Sequence, residues 1–230
     1  MMQINAKPVN FKLGEYISKG YEFLKNNFGG LFGAFLLTIL MSIIPFCSFL
    51  AVGNFYKYCR DLRAGKQASA GDIFNFDDFM PYFILQLILI GGILLLYIPM
   101  IIMMPIMANN NGEPSTAMIF FIPYMIILYI ALVIVCLKGF YMPAVISLGG
   151  VKDIKTAWNM SVTMGKGNLL SIFLFTIVIS ILAQLGILAC GIGLLFTLPL
   201  LYTSHYFAFE DAMQQVTYDE IKEIGSKNEF

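Results

Sequence analysis

The sequence predicts an all-α, polytopic integral membrane helical bundle. Hydrophobic residues fill 59% of its 230 positions, while charged residues reach only 12%, against roughly 25% in soluble domains. Mean hydropathy is +0.79, too high for a surface bathed in water. The apolar residues also fall in long blocks, and six crossings of about 20 residues each would use about 120 positions. The polar remainder, about 110 residues in short pieces, leaves no catalytic domain of ordinary size. Fourteen basic residues balance fourteen acidic ones, so no bulk charge points to nucleic acid.

Residues 1–28 read as a cytoplasmic or interfacial segment without a cleavable signal, since the chain stays polar to about Leu31. Within it, residues 11–28 predict an amphipathic helix. Leu13, Ile17, Tyr21, Leu24 and Phe28 recur every three or four positions, with charged residues between them. Such a helix suits the membrane interface better than a crossing. The transmembrane domain follows over 29–212, with spans expected at 29–44, 47–63, 81–106, 117–148, 168–189 and 193–212. Pro45 marks the turn of a short first hairpin. Ser69 and Asp72 have capping-box spacing and start a short helix through Phe79. Asn109 to Pro114 is a turn. Lys138 sits inside the fourth block, near a boundary where its ammonium snorkels. Asp153 caps a cytoplasmic helix over 154–164. The block 169–209 is too long for one span and divides at Cys190–Gly193. Residues 213–230 form a cytoplasmic tail, in which Thr217 and Glu220 have the spacing to cap a separate terminal helix.

Topology rests on the basic residues. Lys7, Lys12, Lys19 and Lys25 precede the first span. Lys57, Arg60, Arg63 and Lys66 lie in the next polar connection, Lys138, Lys152, Lys155 and Lys166 in the third, and two lysines in the tail. If residues 31–58 made one span, five crossings would strand the first four lysines outside. Six crossings gather all fourteen on the cytoplasmic side, with both termini there, as the positive-inside bias requires.

Several stretches together carry a family resemblance. They are Pro45, Phe55–Gly65, Asp72–Phe79, Tyr141–Ala144, Asp153–Ser161, Gly167–Asn168, the Cys190–Gly193 turn and Pro199. They resemble uncharacterised prokaryotic families of six-helix membrane proteins, related to the membrane region beside some glycerophosphodiester phosphodiesterases. The likeness covers most of residues 20–212. It implies a six-helix fold and membrane localisation but no activity, and the metal-binding carboxylates of that enzyme domain are not carried over.

Candidate chemistry is sparse. The four cysteines, Cys47, Cys59, Cys136 and Cys190, form no CxxC pair and read as small core residues. His205 is the only histidine and the intramembrane polar candidate; its position five residues before Glu210 favours a hydrogen-bonded structural role near the interface. Asp72, Asp77 and Asp78 read as caps and solvated carboxylates, and so do Glu210 and Asp211. Lys57, Arg60, Arg63, Lys66, Lys152, Lys155 and Lys166 are anionic-lipid candidates as well as topology determinants, and Trp158 is an interfacial anchor. No nucleophile–base pair, P-loop, dinucleotide fingerprint or zinc motif appears, and no cofactor is implied. The expected function is therefore a non-catalytic scaffold or accessory subunit in a bacterial inner membrane. Its expected partners are membrane lipids and a membrane-protein partner or second copy. The alternative is a small transporter or channel, motivated by prolines at 45, 81, 99, 105, 123, 143 and 199.

Overall fold

The computed structural model describes residues 7–108, 116–189 and 193–227. The expected turn over 109–114 and the centre of the 190–193 turn, Cys190 included, lie outside the described residues. Among those described, the chain is all-α. Its helices are α1 (Leu13–Asn26), α2 (Phe28–Ser42), α3 (Ser48–Arg63), α4 (Phe79–Ala108), α5 (Thr116–Lys138), α6 (Ile154–Met164), α7 (Leu169–Gln184) and α8 (Leu194–Lys227). Short 3-10 turns cover Ala70–Phe74 and Leu185–Ala189, and a π-turn covers Ala144–Leu148.

The α4, α5 and α7 segments Phe79–Ile102, Phe121–Lys138 and Leu169–Leu188 are long and apolar enough to cross a membrane. Counting the bent pair α1–α2 as one span would make four; those two helices meet at 102°. Helices α2 and α3, with 15 and 16 residues, are only about 22–24 Å long, short of the roughly 30 Å hydrocarbon core. They pack on each other around residues 43–47, where the chain leaves helical geometry and Phe46 takes φ 64°.

The core lies where α1, α3 and α7 pack on α8, with the π-turn set against α3 and α8. Tyr16, Phe55, Tyr141, Phe175, Tyr206 and Phe209 are nearly or fully buried there. Helix α1 is amphipathic as expected, but its buried stripe is Tyr16, Gly20 and Leu24. Leu13 and Ile17 pack only partly against the core, and Tyr21 is exposed. The glycine sets this rotation, because it lets α1 approach the backbone of α8.

Helix α4 begins two residues earlier than its expected span. Helix α5 stops at Lys138, ten residues before the expected 148. The Ser161 hydroxyl explains the stop: it donates to the Lys138 carbonyl at 2.7 Å and accepts the Tyr141 N–H at 3.1 Å. Those two backbone groups are thereby satisfied outside the helix ladder. Pro143, which lacks an N–H, follows directly. The capping box at Ser69 and Asp72 forms, but the turn it starts ends at Phe74, short of Phe79, where Asn54 captures one carbonyl inside the turn and one just beyond it. Asn54 Nδ2 donates to Ile73 and Asn75 at 2.8 and 2.7 Å. Helix α8 runs unbroken to Lys227, so the backbone has no separate terminal helix beginning near Thr217.

Candidate functional site

The functional candidates separate into a charged end of the bundle and an apolar groove beside it. Asp78 organises the first. It is the residue before α4, its side chain is only 3% exposed, and it ion-pairs with both Lys57 of α3 and Lys152 from the segment before α6. Burial alone would push its carboxyl upward; the hydrogen bonds and charges of Lys152 and Lys57 outweigh that and hold it below its ordinary value. Lys152 also donates to the Asp77 carbonyl at 3.3 Å. The sequence reading of Asp78 as a solvated cap is therefore corrected. With both oxygens taken by lysines, Asp78 is an electrostatic clip, not a free base.

Two further links close the same end. Arg63 at the C-terminus of α3 pairs with Glu210 of α8, and its guanidinium lies 5.0 Å from the Phe207 ring centroid. Glu210 also accepts from Tyr206 at 2.9 Å. Asp211 accepts from Tyr16 of α1 at 2.6 Å and from Gln215 at 2.6 Å, with Lys12 at 3.8 Å. Glu210 and Asp211, solvated carboxylates on the sequence alone, instead join α3 and α1 to α8. Asp72 and Asp77 keep local roles, in the capping box and in a 3.0 Å hydrogen bond from Asn75.

The other basic candidates divide by partner. Arg60 holds Asp61 through two hydrogen bonds, at 3.0 and 3.2 Å, and Lys66 lies 3.8 Å from the same carboxylate. Lys155 and Lys166 are exposed; after the Thr156 hydrogen bonds, the charge of Lys155 also helps hold the Asp153 carboxyl below its ordinary value. Lys155 and Trp158, on one face of α6, border a cavity of about 560 Å³ whose walls come from α4, α5 and α6. The structure thus brings Lys57 and Lys152 together, and separately Lys155 and Trp158; Arg60 and Lys66 share Asp61, while Lys166 stands apart.

His205 is packed among Phe140, Phe175 and Phe209, with ring centroids at 5.6, 5.2 and 5.9 Å. Its Nδ1 is hydrogen-bonded to the Leu201 carbonyl at 2.7 Å. This is the environment of a packed aromatic ring, with a local helix carbonyl as its polar partner. Among the described residues, no three His, Cys, Asp or Glu side chains are grouped to hold a metal ion.

Comparison with protein-family models, curated proteins and solved structures gives no match. The geometry of this chain alone therefore carries the functional argument.

Sequence reasoning missed Asp78, Glu210, Asp211 and Tyr16 as partners. The available signal was modest: Asp78 and Lys57 are charges set among aromatic residues, and Glu210 and Asp211 directly follow an apolar run. Which charge meets which is a long-range fact; Tyr16 and Asp211 are 195 positions apart.

Proposed function

We propose that the chain is a non-catalytic, multi-pass protein of a bacterial cytoplasmic membrane, acting as a scaffold or accessory subunit for lipid or membrane-protein partners. The observation that carries this reading is the contrast between its two parts. The charged residues at one end are largely committed to each other, whereas only 6% of the candidate span in α4, and the same share in α5, is buried. Hydrocarbon so exposed requires a lipid or protein surround.

The same contacts favour an even number of crossings with both ends of the chain on one side; six is the number the basic residues set, since among the described residues α2, α3 and α8 are not long and apolar enough to cross on their own. Tyr16–Asp211, Arg63–Glu210 and Lys57–Asp78–Lys152 join the start of α1, the end of α3, the start of α4, the approach to α6 and the middle of α8. If these meet at one surface, α2–α3, α4–α5 and α7–α8 each leave it and return, which makes an even number of crossings. The α2–α3 pair, with Pro45 in its turn, is then the short hairpin that reaches less deeply. This is the plan of the six-helix families the sequence resembles. Prolines 99, 105, 123 and 199 lie inside continuous helices, so the broken-helix motive for transport weakens.

Purification from native membranes into lipid discs tests the proposal. Retained phospholipid or a stoichiometric membrane-protein partner, with no solute flux in proteoliposomes, is the expected result. Selective flux would overturn it in favour of a transporter.

A further inference from the structure

The groove between α4, α5 and α6 has the depth of one leaflet and an apolar lining with room for a single acyl chain. Leu85, Ile88 and Leu89 of α4 and Val135 of α5 form its hydrocarbon walls, while Lys155 and Trp158 of α6 stand at its edge. From Phe79, where α4 begins, to Leu89 is about 15 Å of helix rise, half of a roughly 30 Å hydrocarbon core. Val135 lies within one turn of the α5 terminus at Lys138, so both walls belong to the same half of the membrane. The volume, about 560 Å³, is open to the side because α6 makes only sparse contact with α4 and α5.

The charge at its edge selects the headgroup. Lys155 is exposed and feels the Asp153 carboxylate only at a distance, as the last and smallest of the effects, after the Thr156 hydrogen bonds, that hold that carboxyl below its ordinary value. The nearby Asp153 carboxylate is occupied as the α6 N-cap, accepting from the Thr156 N–H at 2.8 Å and the Thr156 hydroxyl at 2.6 Å. Lys152, three residues back, is held by Asp78. Lys155 lines the slot with its hydrocarbon stem, and an exposed ammonium carried on that stem, beside an indole suited to the interface, complements an anionic phosphodiester carrying an acyl chain. We infer that this groove is a binding site for a single anionic phospholipid of the cytoplasmic leaflet, its acyl chain along α4 and its phosphate on Lys155. The inference rests on the proposed reading that α4 and α5 cross the membrane with α6 at its cytoplasmic surface.

Trp158 is the only tryptophan, so its fluorescence reports the groove without labelling. The full chain is reconstituted in lipid discs doped with phosphatidylglycerol or phosphatidylcholine brominated on the acyl chain, and quenching is titrated. One basic residue near a headgroup is worth roughly 1 kcal/mol, about fivefold in occupancy. Brominated phosphatidylglycerol should therefore reach half-quenching at about one-fifth of the mole fraction that phosphatidylcholine needs. Lys155→Gln should equalise the two, and Leu89→Phe, which narrows the slot, should weaken quenching by both. Equal half-quenching in the unaltered chain, or a preference that survives Lys155→Gln, overturns the site. So does absence of quenching by either lipid, the outcome if a helix of a partner or second copy fills the groove. A separate control distinguishes the two readings: a chain that alkaline carbonate extracts from vesicles defeats the membrane-spanning proposal, whereas a chain that stays embedded yet shows no lipid preference defeats only this inference.

Discussion

Gly20 of α1 lies against Ser204 of α8 so closely that a Cβ on the glycine would stand 2.8 Å from the Ser204 Cα and 2.5 Å from its Oγ. Beside it, the Thr203 hydroxyl donates to the Gly20 carbonyl at 3.1 Å. Absence of a side chain at position 20 lets the two helices touch backbone to backbone, as small residues do between membrane helices. Gly20→Ala should then destabilise the protein by about 1–3 kcal/mol through overpacking. Gly14→Ala, six residues earlier in the same helix with nothing within 4 Å of its added Cβ, should leave stability unchanged or slightly raised. Thermal unfolding in detergent separates the two, and equal melting temperatures would refute the close approach.

Breaking the Asp78 clip should have unequal consequences on its two lysine sides. Asp78→Asn removes a buried partner from both lysines and should cost about 2–4 kcal/mol. The Lys57 side chain is 24% exposed and that of Lys152 54%, so Lys57 is the less screened partner. Lys57→Gln should therefore lower the melting temperature more than Lys152→Gln. The reverse order would show that the clip depends mainly on the α6 approach.

The same carboxylate gives a pH signature. Its folded pKa is depressed by Lys152 and Lys57 against the opposing effect of burial. Its contribution is present in full above the unfolded value, about 3.9, and is lost as pH falls through the lower folded value. The stability gap between the unaltered protein and Asp78→Asn should stay flat from neutrality to about pH 5 and close below about pH 4. A gap that closes between neutrality and pH 5 would contradict the depressed pKa.

Ser161 should matter out of proportion to its size. It is fully buried and bridges the Lys138 carbonyl and the Tyr141 N–H. Ser161→Ala leaves both backbone groups without that partner, at a cost of about 1–3 kcal/mol. Amide hydrogen exchange should also quicken at Tyr141. Unchanged exchange there would mean that the hydroxyl is dispensable for ending α5.

Six crossings require Lys19 and Lys66 to share the cytoplasmic side. Single cysteines at these positions, in a background with Cys47, Cys59, Cys136 and Cys190 replaced, should resist a membrane-impermeant reagent in intact cells and react after lysis. Labelling of the Lys19 position alone in intact cells would make residues 31–58 one span and the number of crossings five.

Local chemistry made the helices legible in the sequence. Hydrophobic blocks marked α4, α5 and α7, amphipathic spacing marked α1, and short-range capping by Ser69, Asp72 and Asp153 needed only neighbours two or three residues away. The tertiary structure decided everything that depended on distant partners. Helix periodicity allows α1 several buried stripes of similar hydrophobicity, and the approach of Gly20 to Ser204 selects one of them. Ser161, on α6, decides where α5 ends. A carboxylate before an apolar helix is compatible with a solvated cap; Asp78 becomes a buried clip only because packing brings Lys57 and Lys152 to it from opposite directions along the chain. Charge type and position are written locally, but the partner that offsets desolvation of a buried charge is fixed only when the helices assemble.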